Sequence, residues 1–79
     1  MSVESDLQAV VEVMVDDRVE VDIRTLDEFE PPLIEMTVAD GDIGKVIGRQ
    51  GRTARALRRL LTARGERRGR TWELKIVEE

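Results

Sequence analysis

The stretch Gly44-Lys45-Val46-Ile47-Gly48-Arg49-Gln50-Gly51-Arg52-Thr53 decides how the rest of the chain is read. Ile43, Val46 and Ile47 recur at i, i+3 and i+4, which predicts one or two helical turns. Gly48 and Gly51 interrupt them, and Leu57, Leu60 and Leu61 restart the pattern. A longer helix is therefore predicted from Arg52 to Arg64, with Gly65 as its C-terminal stop. Two glycines three apart let the backbone turn sharply and let another backbone approach closely. The second helix points its free N–H groups and positive dipole end at that turn, which makes it an anion site by construction. Arg49 and Gln50 at the tip add a charge and hydrogen-bonding capacity, and Lys45 precedes the tip by about one helical turn. Arg52, Arg55 and Arg59, at i, i+3 and i+7, form one stripe on the second helix. Such a set suits a sugar–phosphate backbone.

Two nucleotide-loop readings fail. A Walker A loop needs Ser or Thr after its Gly-Lys and a glycine five positions earlier, but Val46 follows Gly44-Lys45 and Ala39 stands upstream. A G-x-G-x-x-G loop fails because three residues separate Gly44 from Gly48.

Upstream of the turn, Leu33 to Ala39 alternates, with Ile34, Met36 and Val38 on one face, and predicts a strand. Arg18 to Arg24 alternates likewise, with Val19, Val21 and Ile23 on one face. The polar connection ending in Pro31-Pro32 makes these an antiparallel pair. Val3, Leu7, Val10, Val11 and Met14 have helical spacing, so a helix is predicted over Val3 to Val15 with Ser2 as its N-cap and Asp16-Asp17 as the following turn, with a strand as the competing reading because the run is rich in Val. Asp40 is the expected cap for the helix before the glycines. Downstream, Thr71 to Val77 predicts a third strand with Trp72, Leu74 and Ile76 inward. The order is helix–strand–strand–helix–helix–strand, and each strand has one apolar face. This predicts a two-layer α+β fold, a three-stranded sheet covered by helices on one side.

Charge is strongly polarised along the chain. Residues 1–42 carry 13 acidic and two basic side chains, a balance of −11, whereas residues 43–79 carry 11 basic and four acidic ones, a balance of +7. The overall −4 conceals a basic region of the kind a phosphate backbone senses within a Debye length, though on charge alone a solvated helix face reads equally well. The 79 residues allow one domain. With no Cys and no His, disulfide scaffolds, Cys/His metal sites, thiol nucleophiles and His-based triads are excluded. The many carboxylates form no recognisable catalytic constellation, so no enzyme and no cofactor are expected. No apolar run approaches the roughly 20 residues of a membrane helix, and the acidic start Met1 to Asp6 does not read as a signal peptide. With one Trp, one Phe and no Tyr, the chain lacks the stacking surface of RRM and OB-type binders.

Val46-Ile47-Gly48-Arg49-Gln50-Gly51 resembles the core of the KH domain, whose G-x-x-G loop clamps backbone nucleotides. The element order is similar to the type II variant of that fold. The longer string from Gly44 to Thr53, with Arg55-Ala56-Leu57-Arg58, resembles the small single-KH bacterial proteins of the KhpA type over essentially the whole chain, 1–79. The resemblance implies a cytoplasmic protein that binds single-stranded RNA as a chaperone or post-transcriptional regulator. It also implies a homodimer, or a complex with a larger KhpB/Jag-type partner. The rival reading is a protein-interaction adaptor with little RNA binding of its own. The implied RNA-binding residues are Gly48, Arg49, Gln50, Gly51, Lys45, Arg52, Arg55 and Ile47. Where the family often has an aliphatic residue, this chain has Thr53, which is expected to loosen the second helix near the loop.

Other residues have blander readings. Ile34 and Trp72 read as core. Ile43 and Ile47 read equally as core and as the floor of a base-binding groove. Arg64, Arg67, Arg68 and Arg70 read as a solvated loop in preference to an extended phosphate path. Nothing in the sequence reads a 2′-OH, so RNA and single-stranded DNA stay undistinguished.

Overall fold

The alternation of Leu33 to Val38 is realised as the central strand of the sheet. The computed structural model describes residues 2–78. Helix α1 spans Val3–Glu12, β1 Asp22–Leu26, β2 Leu33–Val38, α2 Ile43–Ile47, α3 Arg52–Glu66 and β3 Glu73–Glu78. The strand order is β1-β2-β3. β1 pairs antiparallel with β2, with Ile23 opposite Met36 and Thr25 opposite Ile34. β3 pairs parallel with β2, with Leu74 beside Ile34 and Ile76 beside Met36. Parallel neighbours require a long crossover, and residues 39–72, which carry α2, the glycine turn and α3, supply it.

Ile34, Met36 and Val38 are fully buried and meet Val3, Leu7 and Val11 of α1, Val46 of α2, Leu57 and Leu61 of α3, and Leu74 of β3 in one core. The register leaves Arg24, Glu35 and Lys75 as a row of alternating charge across the other face of the sheet, which no helix covers. The expected one-sided α+β architecture is therefore present. Ser2 caps α1 as predicted, its Oγ accepting from the Ser5 N–H at 3.0 Å. Two ties fix α3 to its neighbours. Arg64 pairs with Asp6 of α1, and Arg58 donates to the Leu74 carbonyl at 3.3 Å.

Four sequence expectations are corrected. α1 ends at Glu12 rather than Val15. Val13 is exposed, and Val15 enters the core from the irregular segment beyond. The first strand begins at Asp22, because Arg18–Glu20 forms a 3-10 turn that leaves Val19 91 % exposed. Asp40 lies inside a 3-10 turn, Asp40–Asp42, and caps nothing. Gly65 does not stop α3, which runs on to Glu66. The buried Asp42 carboxylate accepts from the main-chain N–H groups of Asp16 at 3.1 Å and Asp17 at 3.0 Å. Ionic acceptors make strong hydrogen bonds, and this pair draws residues 16–17 out of helix and strand geometry.

Candidate nucleic-acid interface

The short α2 ends where Gly48 adopts φ 77°, ψ 167°, a conformation essentially restricted to glycine. Gln50 follows at φ 57° and Gly51 at φ 72°, so three of the four turn residues are left-handed. The Gly51 N–H donates to the Gly48 carbonyl at 3.0 Å and closes the turn. Gly48 is required twice over: a Cβ there would lie 2.3 Å from Thr53 Oγ1 and 2.8 Å from the Thr53 main-chain nitrogen. Thr53 thus packs tightly on the turn, the opposite of the loosening its polarity suggested. Gly51 serves as N-cap of α3 and has no side chain with which to cap. The Arg52 N–H donates to the Arg49 carbonyl, and the N–H groups after it in the first turn of α3 have no side-chain acceptor, at the positive end of a 15-residue dipole.

The sequence-predicted residues divide into those that gather at the turn and those that do not. Arg49 and Gln50 are exposed at its tip. Arg52 donates to Gln50 Oε1 at 3.3 Å, which holds both side chains beside the turn. The Arg55 guanidinium folds back towards Gly51, 3.4 Å from where a Cβ would stand. Arg59 continues the exposed stripe on α3. Ile47 is 42 % exposed next to the turn, so an apolar surface flanks the basic one, whereas Ile43 is half-buried against the core. Ile34 is core, and Trp72 packs half-buried on its edge. Arg64 lies neither on a phosphate path nor in a solvated loop, since it is committed to Asp6.

Lys45 stands apart. Its ammonium donates to Asp16 Oδ2 at 2.5 Å and to Asp42 Oδ1 at 3.2 Å. Those contacts, Asp16 first, raise its pKa above the ordinary lysine value. The Asp42 carboxyl is held below its ordinary value, chiefly by the N–H of Asp17 and then of Asp16. Sequence reasoning missed both carboxylates. Asp42 lies at i−3 from Lys45, a spacing that signals a pair on a helix, whereas Asp16 is 29 residues away and carries no such signal. No group of carboxylates able to hold a metal ion occurs among the described residues. No helix among them is long and apolar enough to cross a membrane.

A three-stranded α+β sheet whose helical crossover is broken by a basic, uncapped G-x-x-G turn defines a KH domain. The family model described as "KhpA/KhpB, KH domain" matches residues 4–76, and the chain belongs to that family, which is not a family of enzymes. Among similar proteins, RNA-binding protein KhpA of Chlamydia trachomatis is 40 % identical over 73 residues, covering 92 % of this chain and 94 % of the relative. RNA-binding protein KhpA of Aquifex aeolicus is 40 % identical over 78 residues, covering 94 % and 99 %. The protein of the same name from Borreliella burgdorferi is 35 % identical over 72 residues, covering 91 % and 88 %. No solved structure matches the chain.

Proposed function

We propose that residues 1–79 act as one KH unit that binds single-stranded RNA, in the cytoplasm, through the turn at Gly48–Gly51. The observation that carries this reading is an uncapped helix start, preceded by left-handed glycines and ringed by Arg49, Arg52 and Arg55, none of which is in an ion pair with a carboxylate among the described residues. The main-chain N–H groups there that are not already donated to the Gly44, Gly48 and Arg49 carbonyls take one phosphate. The guanidinium groups take its neighbours, and Ile47 offers an apolar contact to a base. About four nucleotides fit such a loop. The names of the relatives support RNA as the ligand.

Contacts from one such unit are few, so binding is weak and falls steeply with salt. A second copy of the chain, or a KhpB/Jag-type partner, raises affinity through effective concentration. An RNA chaperone or a post-transcriptional regulator needs this kind of weak, sequence-tolerant grip.

The test is anisotropy with a short labelled single-stranded RNA at two salt concentrations, with single-stranded DNA alongside. The native chain is compared with the double variant Arg49→Asp, Gln50→Asp. Both side chains are exposed, and Asp tolerates the left-handed backbone of residue 50, so circular dichroism should report two folded proteins. The expected outcome is binding that weakens with salt and drops at least about tenfold in the variant. Equal binding by both proteins would remove the turn from the interface. No binding by a folded native chain would favour the adaptor reading.

A further inference from the structure

Lys45 is the one cation flanking the turn that is held in an ion pair among the described residues, and its two carboxylate partners are not equivalent. Asp42 is buried, its side chain only 5 % exposed, and both its oxygens serve main-chain N–H groups of residues 16 and 17. It cannot leave Lys45 without unmaking the junction between the α1 segment and α2. The side chain of Asp16 is 86 % exposed and makes no other hydrogen bond among the described residues. It can swing into water at little cost, since an exposed pair gains little net energy over two hydrated ions. Two carboxylates around one ammonium leave a local charge of −1 one helical turn before Gly48. A phosphate arriving at the turn meets that negative charge unless Asp16 gives way.

We infer that Asp16 is an affinity-setting residue of the RNA site: its carboxylate occupies Lys45 as an internal stand-in for phosphate and must be displaced for Lys45 to join the clamp. This rests on the reading of the turn as the RNA site. Asp42 keeps Lys45 in place in both states, and Asp16 alone exchanges. The arrangement penalises ligands that reach the turn with a single phosphate. It favours a backbone whose next phosphate lies close enough to take over Lys45.

Asp17 supplies the internal control. It lies one residue along, carries the same charge, also donates its N–H to Asp42, and forms no ion pair among the described residues. Binding of a short single-stranded RNA is measured for the native chain, Asp16→Asn and Asp17→Asn, each with Lys45 and with Lys45→Met. Asp16→Asn is expected to tighten binding about threefold to tenfold beyond Asp17→Asn at low salt. The slope of log affinity against log salt should steepen by up to about 0.7, because no released Asp16 carboxylate takes up a counterion when Lys45 turns to phosphate. Both differences should vanish in the Lys45→Met background, where there is no ammonium to release.

Equal effects of the two Asn variants, or a gain that persists without Lys45, would overturn the inference while leaving the RNA site standing. Absence of binding by every protein, the native chain included, would overturn the RNA site itself. A second readout needs no RNA. The Lys45 titration followed by NMR should move down in Asp16→Asn relative to the native chain, and an unmoved titration would overturn the inference on its own.

Discussion

The two ends of α3 both turn on glycine, for opposite physical reasons. At the start, Gly48 and Gly51 are demanded by left-handed backbone, and the turn they make stays open, basic and without a side-chain cap. At the far end, Gly65 has ordinary helical geometry but lies against another part of the chain: a Cβ would sit 2.1 Å from the Arg70 carbonyl oxygen and 3.4 Å from the Trp72 ring. Its own carbonyl accepts from the N–H groups of Arg68 at 3.0 Å and Arg70 at 2.9 Å. One end of the helix has no side-chain cap, and the other uses its polar groups to fold the chain back into β3. The difference teaches that a glycine in a sequence marks a demand on backbone, as at Gly51, on space, as at Gly65, or, at Gly48, on both.

That contrast breaks first at Gly65. Gly65→Ala sets a methyl group against backbone, which cannot swivel away, so the α3–β3 corner must open. A loss of about 2–3 kcal/mol is expected in urea unfolding, with RNA affinity of the folded fraction within twofold of native. A smaller effect separates Gly51 from Gly44. Gly51→Ala meets only the mobile Arg55 side chain but keeps φ 72°, so it should cost about 1–2 kcal/mol. Gly44 lies in α2 with open space where a Cβ would stand, and Gly44→Ala should stabilise by about 0.5–1 kcal/mol. Equal losses at the two positions would refute the assignment of conformational demand.

The smallest effect is electrostatic. The approach to the turn is tied by an ionised group, Asp42, whereas the far corner is tied by main-chain carbonyls. Because the folded Asp42 carboxyl titrates below its ordinary value, its contribution is fully present above the unfolded value near pH 4. It is lost as pH falls through the lower folded value. Hydrogen-exchange protection at the Asp16 and Asp17 amides should therefore fall as pH drops below about 4, ahead of protection at Arg70. Glu4, held low chiefly by the Thr25 hydroxyl, titrates in the same direction. An Asp42→Asn variant, weakly protected at Asp16 and Asp17 at every pH, separates the two.

Much of this was legible in the residues. Ile34, Met36 and Val38 alternate cleanly and fill the core, and Leu57 and Leu61 place α3 correctly. The glycine pair, with Arg49, Arg52 and Arg55, comes together at one turn as spacing required. What escaped was non-local. Val19, Val21 and Ile23 alternate as a strand should, yet Val19 is exposed because Asp42, more than twenty residues on, claims the backbone just before it. Gly65 reads as a helix stop by type, but its role is set by a carbonyl reached only after the chain has turned at Gly69. The parallel pairing of β2 with β3 left no mark in either strand. Lys45 was assigned to phosphate from its distance to the turn, and no local signal could reveal that Asp16 reaches it first.

The most direct test is a residue-by-residue titration. A short single-stranded RNA is added to 15N-labelled protein, and every amide is followed by NMR. The account predicts the largest shifts at Gly48 to Ala54, the turn and the start of α3 that has no side-chain cap. Shifts confined to the Arg67–Trp72 corner or to the sheet face of Arg24, Glu35 and Lys75, with residues 48–54 unmoved, would contradict it.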